Sequence, residues 1–271
     1  MLLESVASLR VLTTRQVQRL LFPSEQVALR RLRMLAAAGL IRLDHSVVSP
    51  HRLVTVTPAG HAAAGTELRA AVRPRHPLFL QHQLGVNAFR IALGQACACR
   101  SDLELLGFIG DTDGVVGGPR LQRALHGVLG VRGGHVPDGM FGLRRGGRSA
   151  LFFFEFDRGT EVIGSPARGL GRIIHSYLAS LAGGDLRRAG ELLGVDARRR
   201  GFRALVVTTT PARVRNIRNH WAGVSGSIAA GQRFIWLTSA DALETTDLLT
   251  ERWVPLDAKD ARTYTILGDE T

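Results

Sequence analysis

Four local signals follow one another between Thr13 and Pro58, and together they leave this stretch few ways to fold. Thr13-Thr14-Arg15-Gln16 has the pattern of a capping box, in which a hydroxyl accepts a free helix amide and Gln16 reaches back. The helix it opens carries Val17, Leu20 and Leu21 on one face, and Phe22-Pro23 breaks it. Ser24 is a good N-cap for a longer helix running to Ala38, closed by Gly39 where a left-handed C-cap is needed. Thr57-Pro58 then combines a hydroxyl cap with proline in the first turn of another helix.

Between Gly39 and Thr57, Leu40-Ile41-Arg42-Leu43 and Arg52-Leu53-Val54-Thr55-Val56 read as two short strands around a polar turn with His45, Ser46 and Pro50. Residues 2–9 are a short apolar helix. The resulting order, helix–helix–helix–strand–wing–strand–helix, is that of a winged helix-turn-helix over residues 1–72. On its third helix Ala28, Leu32, Leu35 and Ala36 gather on one side. Gln26, Arg30 and Arg33 form the opposite stripe, with Arg31 near its edge. On an isolated helix such a stripe is a solvated face. On a winged helix it is the surface whose guanidinium and amide groups reach base edges and phosphates, with Arg52 joining from the wing.

Charge agrees with a polyanion partner. The chain of 271 residues has a net charge of +12, and residues 1–75 hold eleven arginines against four acids. The single lysine, Lys259, precedes Asp260, which closes the G-x-x-x-x-G-K-[ST] route to nucleotide triphosphates. Cys97 and Cys99, the only cysteines, sit one residue apart in an apolar helical stretch and supply neither a disulfide framework nor a four-ligand zinc site. With no long apolar run and no basic-then-apolar leader, the expectation is a cytoplasmic protein without a membrane partner.

Arg73-Pro74-Arg75-His76-Pro77 reads as a stiff linker, leaving 78–271 as a second domain. Pro77 opens a helix to about Cys97, and Leu103 to Ile109 reads as a strand. Residues 110–134 are glycine-rich and read as a long hairpin or loop. Val136–Leu143 and Ser149–Phe156 follow as strands joined at Arg145-Gly146-Gly147. Ala150 to Phe154 is apolar on both faces, as in a central strand covered on each side. A helix over Pro166–Ala182, a strand over Ala204–Thr209, a helix over Pro211–Trp221 and a strand over Arg233–Leu237 complete an α-β-β-β-α-β-α-β order. The fold class is α/β (α+β overall).

Acids stand at the ends of the middle strands. Asp138 follows Pro137 on one, and Glu155 and Asp157 share a face of the next by the period of two. Three converging carboxylates need positive charge, either a hard divalent cation or an arginine; Arg158, Arg168 and Arg172 are near in sequence. Arg168, Arg172 and His175 share a helix face. His135 is a candidate phosphate contact, and His82 is a packed histidine or a catalytic one. Arg187-Arg188, Arg198-Arg199-Arg200 and Arg203 either grip a DNA backbone or are simply solvated.

Pro-Asp on one strand and Glu-x-acid on the next, within this αβββαβ core, resembles the PD-(D/E)xK restriction-endonuclease-like superfamily. More closely, Gly39-Leu40, Thr57-Pro58-Ala59-Gly60, His82 with Asn87, Pro137-Asp138 and Glu155-Phe156-Asp157-Arg158-Gly159-Thr160-Glu161 resemble the plasmid replication-relaxation family. That resemblance implies a winged helix followed by a nuclease-like domain, associated with plasmid or mobile-element DNA. It would make Asp138, Glu155 and Asp157 ligands of Mg²⁺ or Mn²⁺, with Arg172 and His82 completing a catalytic set. Where the superfamily usually has lysine this chain has Asp157, and an arginine is a poor general base.

Two functions stay open at this point. One is a metal-dependent endonuclease or nickase directed to double-stranded DNA by the winged helix. The other is a non-catalytic DNA-binding accessory factor or regulator with a degenerate nuclease fold. A relaxase with a His-x-His metal pair is set aside, because none of the nine histidines lies two positions from another. A homodimer would place half-site centres about 10 bp apart.

Overall fold

The computed structural model describes residues 1–66, 77–110, 135–183, 187–195, 202–223, 231–241, 248–249, 253–257 and 263–266. The described residues form a mixed α/β fold with one three-stranded and one six-stranded sheet, and the chain divides into two compact units, Met1–Ile91 and Ala92–Thr271. Among the described residues no helix is long and apolar enough to cross a membrane.

The first unit runs α1 (Leu2–Leu9), β1 (Leu12–Thr13), α2 (Thr14–Leu21), α3 (Glu25–Ala37), β2 (Ile41–Asp44), β3 (Leu53–Val56) and α4 (Pro58–Ala63). It has the order expected from the sequence, with β1 added. The capping box forms: Thr13 Oγ1 accepts from Gln16 N at 3.1 Å, and Gln16 Oε1 accepts from Thr13 N at 3.0 Å. Ser24 caps α3 through Val27 N, and Gly39 ends it at φ 70°. β3 is the central strand, antiparallel to β1 and β2.

The Thr57-Pro58-Ala59-Gly60 turn locks this end of the sheet. Thr57 Oγ1 donates to Gly39 O at 2.6 Å and accepts from Gly60 N at 3.0 Å. Gly60 is obligatory, since a Cβ there would stand 2.0 Å from Leu40 O.

Of the expected linker at 73–77, residues 73–76 lie outside the described residues. The division falls inside α5 (Pro77–Ala98), and the part of α5 before Ala92 belongs to the first unit. Buried Asn87 explains this: its Nδ2 donates to Leu9 O at 3.0 Å and Val11 O at 2.7 Å, satisfying the carbonyls between α1 and β1. Gln16 Nε2 donates to Leu84 O at 2.8 Å, and Leu80 and Leu84 pack with Val11 and Leu53. A polar Pro/Arg run marks where the chain turns, but packing decides which unit owns the helix after it.

In the second unit β4 (Leu103–Gly110), β5 (Gly139–Arg145), β6 (Arg148–Asp157), β7 (Phe202–Thr208), β8 (Ile235–Ser239) and β9 (Val254–Pro255) form one sheet in chain order. The expected loop at 110–134 lies, but for Gly110, outside the described residues. β4–β5–β6 are antiparallel, turning at Gly146 and Gly147 with φ 53° and 75°; β6, β7 and β8 are parallel, and β9 is antiparallel again. Among the described residues the unit also has α6 (Gly169–Gly183), α7 (Arg187–Glu191) and α8 (Pro211–Ala222).

β6 is buried on both faces, as its composition requires. Leu151, Phe153 and Met140 pack with Ile174 and Tyr177 of α6 and with Val214, Ile217 and Trp221 of α8. Phe152 stacks on Phe141 at 4.9 Å, with Phe108 beyond it. The alternation that puts Phe153 under the helices carries Glu155 and Asp157 there too.

Candidate functional site

β5 and β6 pair so that Gly139 faces Phe154, which brings Asp138 level with Glu155 at the strand ends. Asp138 is half-buried, and its Oδ2 accepts from Phe156 N at 2.7 Å. Glu155 is 2% exposed. Its Oε1 lies 2.6 Å from His135 Nε2 and accepts from Tyr177 Oη at 2.5 Å.

Burial pushes the Glu155 carboxyl above the usual carboxylate range, partly offset by His135 and reinforced by the negative charge of Asp138. For His135 burial works against the charged form, but the Glu155 carboxylate outweighs it and the imidazole is held above its usual value. The two titrate as a pair. Tyr177, wholly buried against the same carboxylate, is raised well above an ordinary phenol, first by burial and then by Glu155.

Asp157 is differently engaged. It is 3% exposed, and both its oxygens are taken. Oδ2 accepts from Thr208 Oγ1 at 2.8 Å and Arg213 Nε at 2.9 Å. Oδ1 accepts from Gly159 N at 3.0 Å, with Arg213 Nη2 at 3.5 Å. The same Nη2 donates to Glu161 O. Thr210 caps α8 through Arg213 N, which fixes the arginine in the first turn beside the strand end.

The metal expected from the resemblance does not fit this donor set. A hard divalent ion needs free carboxylate oxygens converging on one point. Here Asp157 is neutralised by a guanidinium, and Glu155 turns one oxygen to an imidazole and a phenol. Among the described residues no group of three or more His, Cys, Asp or Glu is placed to hold a metal ion. The three acids fall into two separate networks, and the cation beside Asp157 is Arg213.

Other candidates are placed as follows. Arg172 is exposed on α6, and its charge slightly opposes that of His135; it bonds none of the acids. Arg168 is exposed and Arg158 half-buried, and neither neutralises Asp157. His175 packs on Trp221 at 5.2 Å. His82 is half-buried in the first unit, whereas the acids belong to the second. Arg203 donates to Ile266 O and lies 4.1 Å from the Trp236 ring centre, a packed arginine rather than a free one. Arg198, Arg199 and Arg200 and the side chains of Arg187 and Arg188 lie outside the described residues.

Gln26, Arg30, Arg31 and Arg33 are all exposed on α3, opposite buried Ala28 and Leu32, and none of their side chains bonds another described residue. Arg52 is exposed too, but its Nη2 donates to Leu43 O across the β2–β3 hairpin, so part of its capacity serves that hairpin. Val47 at the wing tip is 86% exposed.

Tyr177, Thr208 and Arg213 were not legible as partners of the acids. Tyr177 is one of two tyrosines, and Thr210-Pro211 signals the helix that carries Arg213. Nothing local joins Arg213 to an aspartate 56 positions earlier.

The chain matches the family described as replication-relaxation over residues 3–184. No curated protein and no solved structure matches the chain.

Proposed function

Because the chain belongs to the replication-relaxation family, we propose that it is a non-catalytic DNA-binding accessory factor in the replication or transfer of a plasmid or mobile element. Met1–Ile91 acts as a winged helix on double-stranded DNA, with α3 in the major groove. The observation that carries this reading is the stripe Gln26, Arg30, Arg31 and Arg33, exposed and bonded to no other described residue. Cations left solvated in this way lose little hydration in reaching phosphates and gain from counterion release. Gln26 and the arginines also match the donor and acceptor pattern of base edges.

Arg30→Ala with Arg33→Ala is expected to weaken duplex binding and lower the slope of log affinity against log salt by about 2, measured by fluorescence anisotropy. Unchanged affinity and slope would remove α3 from the interface.

An endonuclease or nickase is the second reading, favoured only by the placing of Asp138 level with Glu155. Its requirement is a free pair of carboxylates, and Glu155 is held by His135 and Tyr177. We expect supercoiled plasmid to stay intact with Mg²⁺ or Mn²⁺. Nicking by the purified protein that disappears in Glu155→Ala would establish the enzyme and end the accessory-factor reading.

A further inference from the structure

The second unit carries a group of spare cations that neither the family assignment nor α3 explains. α6 and α8 lie side by side on one face of the six-stranded sheet. Ile174 and Tyr177 share a core with Val214, Ile217 and Trp221, and His175 meets Trp221. Neither helix contains a single Asp or Glu.

The segment 158–168 lies against both helices. Gly164 sits under His220, Gly169 against Val162, and Gly171 against Ser165 and Ile163. Glu161 is the one acid in that segment.

Arg168 and Arg172, one turn apart at the start of α6, and Arg215, near the start of α8, are exposed, and none makes an ion pair with another described residue. Three other arginines of the unit are matched. Arg144 pairs with Glu104 at 2.9 Å, Arg145 with Asp102 at 2.7 Å, and buried Arg213 with Asp157 at 2.9 Å. Exposed cations on helices that carry no acid give a positive potential that attracts a polyanion.

We propose that the α6–α8 face of the second unit is a separate contact surface for the phosphate backbone of nucleic acid, with Arg168, Arg172 and Arg215 as its cations. Guanidinium groups suit phosphate through paired N–H donors. A lipid surface is the weaker partner, since Val162 is the only exposed large apolar side chain in segment 158–168, α6 or α8 among the described residues, too little to anchor in a bilayer. No base reading is implied, so the contact is blind to sequence.

The test uses the full chain and a duplex of about three helical turns. The triple variant R168A/R172A/R215A should lower the salt slope by about 2 to 3 while keeping the wild-type preference among duplex sequences. Its lysine counterpart R168K/R172K/R215K, which keeps the charge, should restore most of the slope and excludes misfolding as the cause.

A triple alanine variant with the wild-type slope overturns the proposal. So does loss of binding to phosphatidylserine vesicles in that variant with duplex binding intact. The result stands apart from that for α3: a slope lowered by the triple variant but not by R30A/R33A keeps this surface and removes the recognition helix, and the reverse pattern does the opposite.

Discussion

Arginine does opposite work in the two units. On α3 of the first, Arg30, Arg31 and Arg33 point into solvent and bond no described residue. At the end of β6 in the second, Arg213 is tied to Asp157 and to the Glu161 carbonyl, with side-chain exposures of 14% for the arginine and 1% for the aspartate. An exposed guanidinium stays hydrated and contributes little to folding, so its value lies in what it can bind. A buried one is retained only because its partner would otherwise be a stranded charge. The same side chain is solvated and open to a partner in one environment and a structural counter-ion in the other.

The largest test of that contrast is Arg213→Ala. It leaves Asp157 buried and uncompensated, which should cost about 3–5 kcal/mol in urea denaturation. Asp157→Asn in the same background should recover part of the loss, because the neutral amide removes the stranded charge. Arg30→Ala should move the same transition by less than about 0.5 kcal/mol. Equal effects at the two arginines would erase the distinction.

Tyr177→Phe comes next. Removing the phenol that donates to buried Glu155 should cost about 1–3 kcal/mol, and no change would mean that Glu155 is not held there. The smallest-scale break concerns the first unit alone. Thr57→Ala removes both the α4 cap and the bond to Gly39 O, and should cost about 1–2 kcal/mol by the same measurement. A loss below a few tenths would show that the turn is fixed by proline and packing.

The His135–Glu155 pair adds a pH dependence with a definite sign. Both groups have folded pKa values raised above their unfolded ones, so both bind protons more tightly in the native state. Their contribution is complete below the unfolded values, and it is lost as pH rises through the folded ones. For His135 that window opens at 6.5, its ordinary value, and extends upward. Denaturation midpoints measured across this range should fall with pH, and His135→Asn should flatten the fall. A midpoint that rises in the wild type would reverse the assignment.

Local chemistry accounts for most of the first unit. The Thr13–Gln16 box, Ser24, Gly39 and Thr57-Pro58 act over a few residues each, so the sequence alone placed the helix ends, the β2–β3 hairpin and the stripe on α3. In the second unit the run Ala150 to Phe154 predicted a strand covered on both faces, and the period of two put Glu155 and Asp157 on one side. Alternation gives a direction for a carboxylate but not its neighbour. Whether Asp157 met a metal ion or an arginine depended on where α8 docked, and whether α5 joined the first unit depended on the buried amide of Asn87. Both answers arise between residues more than 50 positions apart, where no spacing rule operates and only packing of the folded chain selects the partner.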